Sequence, residues 1–241
     1  MVTKFLTSFL VALLWCSSAF ALHPALVGVI GRQAASGGTD PAFVQIGSNY
    51  PGTGTPAAIT LGAAVTAGNQ LIAVYEDHTA IDAEGASISG GCNVAWTAIA
   101  EVRASLGSYY QKVLYCAEAT SGSNAVTPSS WALGDKAWYL LEVSNVGVWD
   151  DNSGVAATSD AFNSGNATAS TGKSLMIGMY DTSNPLYTVT WDAGWTQQAA
   201  NTGHRSFLAT KIVSGTGDYA ASGTVATSEG HGAFIQIFKG L

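Results

Sequence analysis

Beyond residue 40 the chain alternates between short apolar or β-branched runs and clusters of Gly, Ser, Thr, Asn and Pro, the pattern of strands joined by turns. The runs are Phe43 to Ile46, Ala57 to Leu61, Leu71 to Tyr75, Val94 to Val102, Tyr109 to Cys116, Ala137 to Val143, Leu175 to Tyr180, Tyr187 to Trp191, Ser206 to Val213 and Ala233 to Phe238. They are rich in the β-branched and aromatic residues that pack well on a pleated surface, so the expected fold class is all-β. No window of a dozen residues there sustains a 3.6-residue apolar stripe. Glu, Lys and Arg, which favour helices, are scarce.

The same pattern occurs twice. Residues 66–77, a Gly turn, an apolar strand and a closing Asp77, match residues 170–181, which close on Asp181. In the same order, Trp96-Thr97 matches Trp195-Thr196, Ser121-Gly122 matches Ser214-Gly215, and Trp138 to Val143 matches Ala233 to Phe238. This order predicts a jelly-roll-like antiparallel β-sandwich at 41–241, built from repeated halves at about 41–146 and 147–241. Two tandem immunoglobulin-like domains are the alternative, because each half has roughly the size of one such domain. The join at 146–154 carries Val148 and Trp149 and does not have the composition of a polar linker, which favours one sandwich. Along Trp138 to Val143 apolar residues fall on both faces of the strand. One face fills the sandwich, and the other is expected to need a neighbouring subunit, hence a homo-oligomer.

Composition changes the picture at the N-terminus. Lys4, the apolar stretch Phe5 to Trp15 and Ala19-Phe20-Ala21 form the three parts of a secretory signal over residues 1–21, with 22–40 expected as a flexible arm. The apolar stretch is shorter than the roughly 20 residues a membrane-spanning helix needs, so no transmembrane helix is expected. Removal of the signal leaves Cys92 and Cys116, an even pair suited to a disulfide in an oxidising compartment, provided that Gly90-Gly91 supplies a bulge or loop. Only 10% of residues are charged, and the formal charge is −7. That balance excludes a basic field for nucleic acid, and the 47% hydrophobic content excludes a disordered chain. The expected location is secreted or at the cell surface, with a virion surface as the alternative.

The succession AGNQLIAVY, a Trp-Thr strand, YYQKVLYCAEATSG and AWYLLEVSNV, with a weaker second copy ending AFIQIFKGL, resembles β-sandwich domains of bacteriophage virion proteins and bacterial surface, adhesin-like proteins. The resemblance covers about 200 residues after Asp40. It rests on turn and strand residues and implies a structural or adhesive role without enzymatic activity.

The chemical motifs point the same way. No Gly-x-Ser-x-Gly elbow is present, and Gly172-Lys173-Ser174 precedes a strand instead of following one, which argues against a phosphate loop. Glycoside hydrolysis needs paired carboxylates. Glu76, Asp77, Asp82 and Glu84 form one acidic cluster and Asp181 with Asp192 a loop pair, but acids at strand ends usually cap turns. No cofactor and no catalytic residue is expected. Asp150-Asp151-Asn152-Ser153-Gly154 has part of the spacing of a calcium loop, yet position 161 is Ala where the closing acid belongs, so it reads as a solvated turn. The strongest binding candidate is Trp191-Asp192-Ala193-Gly194-Trp195, a tight turn with indoles to stack on the C–H faces of sugars and an acid to bond hydroxyls. With Asp77 and Asp181 these residues form the expected ligand set for a cell-surface glycan. Trp195, matched by Trp96, also fits core packing. The functional expectation is an assembly or adhesion protein, with a lectin-like module and a secreted glycosidase as alternatives.

Overall fold

A computed structural model of the chain describes residues 40–50, 55–77, 86–104, 109–129, 136–182, 188–201 and 205–241. The signal-like segment and nearly all of the arm lie outside them. The described chain contains β1 (Ala42–Asn49), β2 (Ile59–Thr60), β3 (Gln70–Asp77), β4 (Ser87–Ser89), β5 (Thr97–Arg103), β6 (Tyr110–Cys116), β7 (Ala125–Ser129) and β8 (Lys136–Ser144). It continues through β9 (Val146–Asn163), β10 (Ala167–Ala169), β11 (Ser174–Thr182), β12 (Val189–Trp191), β13 (Thr196–Asn201), β14 (Ser206–Val213), β15 (Gly217–Tyr219) and β16 (Ser222–Gly240). The fold is all-β and antiparallel.

One main sheet has the order β1-β8-β3-β6-β5; the other runs β12-β16-β11-β14-β13, with the short β12 on the opening residues of β16 and β9 also paired with β16. Their inner faces pack together. Ile72 and Val74 of β3, Val113 of β6 and Tyr139, Leu141 and Val143 of β8 share a core with Leu175, Ile177 and Met179 of β11, Leu208 of β14 and Phe234 and Phe238 of β16. Because side chains alternate along a strand, the intervening residues face outward. In the first half Leu71, Ala73, Tyr75, Leu114, Trp138 and Leu140 are covered by Ile59, Leu61, Val65, Ile88 and Val126, from β2, β4, β7 and their loops. In the second half Met176, Ile235 and Ile237 meet Ala167, Ala169 and Ala221, while Tyr180 and Phe207 meet Phe162, Val189 and Val225.

This layering corrects the argument for a neighbouring subunit. The outward face of Trp138 and Leu140 is covered by the chain's own short strands. A strand buried on both faces carries a continuous apolar run, and β3 and β11 are buried at every position. The strands that the pattern did not reveal are β9 and β13 of the second main sheet and most of the short covering strands. β7 alternates exposed and buried over five residues, and β4, β10 and β15 have three residues each. A second correction concerns Asp150 to Gly154, expected as a turn. These residues lie within the 18-residue β9, and Asp151 to Gly154 pair with β16, Asn152 with Gln236 and Gly154 with Phe234.

The two main sheets share irregularities as well as strand order. Thr97 pairs with Tyr115 and Ala98 with Leu114, and a bulge at Ile99 follows; Thr196 pairs with Thr210 and Gln197 with Ala209, and a bulge at Gln198 follows. Likewise β1 bulges at Val44, between Phe43 and Gln45, and β9 bulges at Asp150, between Trp149 and Asp151. By the same pairing Val74 lies between Tyr139 and Val113 as Met179 lies between Phe234 and Leu208. The position corresponding to Asp181 is therefore Glu76, one residue before the Asp77 that the sequence pattern matched to it. A one-residue difference exchanges the two faces of a strand. Asp181 follows Ile177 and Met179 on the inter-sheet face, whereas Asp77 follows Ala73 and Tyr75 on the outer one.

Candidate functional site

The turn after β12 is built by local chemistry. The Trp195 N–H donates to the Asp192 carbonyl at 3.2 Å, and Gly194 takes φ of 88°, a conformation that costs glycine little. The Asp192 N–H donates to the Ser222 carbonyl at 3.0 Å, and the Ser222 hydroxyl donates to the Asp192 carboxylate at 2.5 Å, so β16 holds the turn in place. Trp191 is half-buried. Its indole N–H donates to Gln197 Oε1 at 3.1 Å, and its ring sits edge-on to Phe162 at 5.1 Å and tilted on Trp195 at 5.8 Å.

Trp195 is only 8% exposed and packs over Gly178, where an added Cβ would lie 2.8 Å from the indole. It serves as the floor of the turn, while Trp191 reaches the surface. Lys211 crosses the same indole with Nζ 5.8 Å from the ring, and that amine donates to the Ala193 carbonyl at 3.4 Å. Sequence reading identified the two tryptophans and Asp192 but missed Gln197, Lys211 and Ser222. Gln197 lies two residues beyond Trp195, a spacing that favours a shared face; Ser222 carried no signal, because only the pairing of β16 brings it there.

The remaining two expected ligands are placed elsewhere. Asp77 is buried in the outer core of the first half, where the Tyr75 hydroxyl donates to its carboxylate at 2.8 Å. Asp181 is 1% exposed on the inner face of the second sheet. Its neighbour there is Glu76, also 1% exposed, which accepts a hydrogen bond from the Ser206 hydroxyl. The Tyr139 hydroxyl in turn donates to Ser206 Oγ at 2.6 Å. Burial, reinforced by the Asp181 carboxyl, raises Glu76 well above the ordinary glutamate range despite the Ser206 hydrogen bond. A buried like-charge pair cannot ionise both members cheaply, and this is the physical cause of the upward shift at Glu76.

The acids that suggested calcium face donors. Asp150 accepts from the Ser170 N–H and hydroxyl, both at 2.7 Å, and lies 3.3 Å from Lys239 Nζ; Asp151 accepts from the Thr168 N–H at 2.8 Å. These contacts fasten β9 to the β10 strand and the residues after it. Among the described residues no three His, Cys, Asp or Glu side chains converge as a metal-binding group. Cys92 and Cys116 form a disulfide with a Cα–Cα distance of 5.9 Å. Gly90 and Gly91 take φ of 79° and 68° in the loop that brings Cys92 to the end of β6. No described helix is long and apolar enough to cross a membrane. Compared with models of protein families, with curated proteins and with solved structures, the chain matches none.

Proposed function

We propose that this protein is a non-enzymatic attachment module, exported or displayed on a cell or particle surface, that binds saccharide at the Trp191–Gln197 edge. The observation that carries the reading is the mounting of Trp191. Its half-buried ring is fixed by Phe162, Trp195 and Gln197, and the Asp192 carboxylate on the adjoining turn is bonded by the Ser222 hydroxyl of β16. A rigid aromatic surface beside hydrogen-bonding groups suits a sugar ring, because little side-chain freedom is lost on binding. The Cys92–Cys116 disulfide supports export. Burial of Glu76 and Asp181 supports the non-enzymatic reading, since glycoside hydrolysis requires the two carboxyl groups to flank a bound substrate.

A glycan array probed with the full chain and with Trp191→Ala tests this. Retention of specific glycans by the native chain and their loss in the variant, with unchanged thermal unfolding, is the expected result. Equal retention by both proteins would remove Trp191 from the site, and a blank array with the native chain would end the saccharide reading.

A further inference from the structure

The matched edges of the two sheets differ in one place. At the edge formed by β5 and β9, Tyr115, Ile99 and Trp149 pack against the inter-sheet core, and the Tyr115 hydroxyl reaches the Val146 carbonyl at 3.1 Å. At the opposite edge the positions of Tyr115, Ile99 and Trp149 are taken by Thr210, Gln198 and Phe43, as the pairing registers and bulges establish. Tyr115 and Trp149 are thus replaced by smaller side chains and Ile99 by a polar one. A groove of about 280 Å³ opens there between the start of β1 and the strands β13 and β14.

Its chemistry is specific. Phe43 forms an apolar wall; Thr196, Gln198 and Thr210 supply hydroxyl and amide groups; and Gly194 and Lys211 connect the groove to the tryptophan turn. Gln198 Nε2 donates to Thr210 Oγ1 at 2.8 Å, a bond that holds the amide in place. That bond uses one of the two amide hydrogens and leaves the Gln198 carbonyl and the Thr210 hydroxyl proton to engage a ligand. No carboxylate lines the groove, and its one charged group, Lys211, already faces Trp195 and Ala193.

We infer that this groove is a saccharide subsite, taking an uncharged pyranose whose C–H face lies on Phe43 and whose hydroxyls bond Gln198 and Thr210. The inference rests on the saccharide reading of the adjoining turn and adds a position that a second sugar of the same chain occupies. The first half is closed at the same place by Tyr115 and Ile99, so the double substitution Thr210→Tyr with Gln198→Ile copies a packing that this fold already accommodates.

The test uses the full chain, isotopically labelled, titrated with methyl glycosides of glucose, galactose, mannose and N-acetylglucosamine and followed by NMR. For at least one of them, shifts of the Gln198 side-chain amide and the Gly194 amide are expected; in the double variant, which has no amide at 198, the Gly194 shift should be lost while the dispersion is kept. Shifts confined to the Trp191 indole, equal in the native chain and the double variant, would overturn the subsite and leave the attachment reading standing. No saturable shift at either place, with any of the four glycosides, would overturn both. A double variant that no longer folds is replaced by Gln198→Ala, for which the same loss is expected and retained Gly194 shifts would overturn the subsite.

Discussion

Glu76 and Glu142 are both buried glutamates, and their surroundings drive them in opposite directions. At Glu142 burial works against ionisation, but hydrogen bonds from Gln45 at 2.5 Å, the Thr66 N–H at 2.9 Å and Asn69 at 2.5 Å outweigh it and hold the carboxyl below its usual range. Its contribution to stability is therefore present above the unfolded value and is lost as pH falls through the folded one. Glu76 faces Asp181, Tyr139 and Tyr50 with one hydroxyl donor, Ser206, and is raised above 4.5. There the sign reverses. The protonated carboxyl suits the folded state, so stability is full below the unfolded value and declines as pH climbs from it towards the raised folded value. The difference in denaturant midpoint between the native chain and Glu76→Gln, followed from pH 5 to 9, should shift against the native chain with rising pH, because only the native chain carries the raised Glu76. A difference that does not change with pH would remove Glu76 as a source of pH dependence. Gly178 shows a different residue-scale constraint: Trp195 and Ala221 come within 2.9 Å of an added Cβ, which leaves no room for a side chain under the turn.

At the level of elements, the hairpin of β5 and β6 is held to the outer layer by one covalent link. The Cys92–Cys116 disulfide closes a loop spanning a sequence separation of 24, and Cys92 forms an isolated bridge with Ala119 beyond β6. Restricting the unfolded chain over a loop of this length contributes about 3 kcal/mol. The double variant Cys92→Ser/Cys116→Ser should lose roughly that amount in urea unfolding. A loss below about 1 kcal/mol would mean that the reduced chain keeps this loop ordered when unfolded. The polar strand β9 has another role. Its first part lies on β16 beside the main sheet, and its end at Ala161–Asn163 pairs with the opening residues of β16, so both strands pass from one layer to the next. A strand with Asp, Asn, Ser and Gly at its centre does not alternate, because it lies at a sheet edge where several residues are only partly buried.

At the level of the molecule, residues 38–241 form one compact unit whose halves meet through a shared apolar core. Burying a single Leu or Phe contributes roughly 2 kcal/mol, and residues 147–241 alone would expose Leu175, Ile177, Met179, Phe234 and Phe238 together. That fragment should bind a hydrophobic dye and unfold without cooperativity, and co-expression with residues 38–146 should restore a sharp transition. A fragment that folds cooperatively as a monomer by itself would show two independent domains instead. The amino-acid order determined the fold class, the principal strands and the tryptophan turn, because strand periodicity, β-branched runs and turn glycines act over a few residues. The pairing registers place Glu76, and not the Asp77 that the sequence pattern aligned, on the same face as Asp181, since a single-residue shift leaves composition unchanged while exchanging the faces. Three features were decided by the tertiary structure alone: the internal covering of both sheet faces, the pairing of Glu76 with Asp181, and the groove left where Thr210 stands in the place of Tyr115. Each depends on which strands lie side by side, and that is settled by packing between residues far apart in the chain.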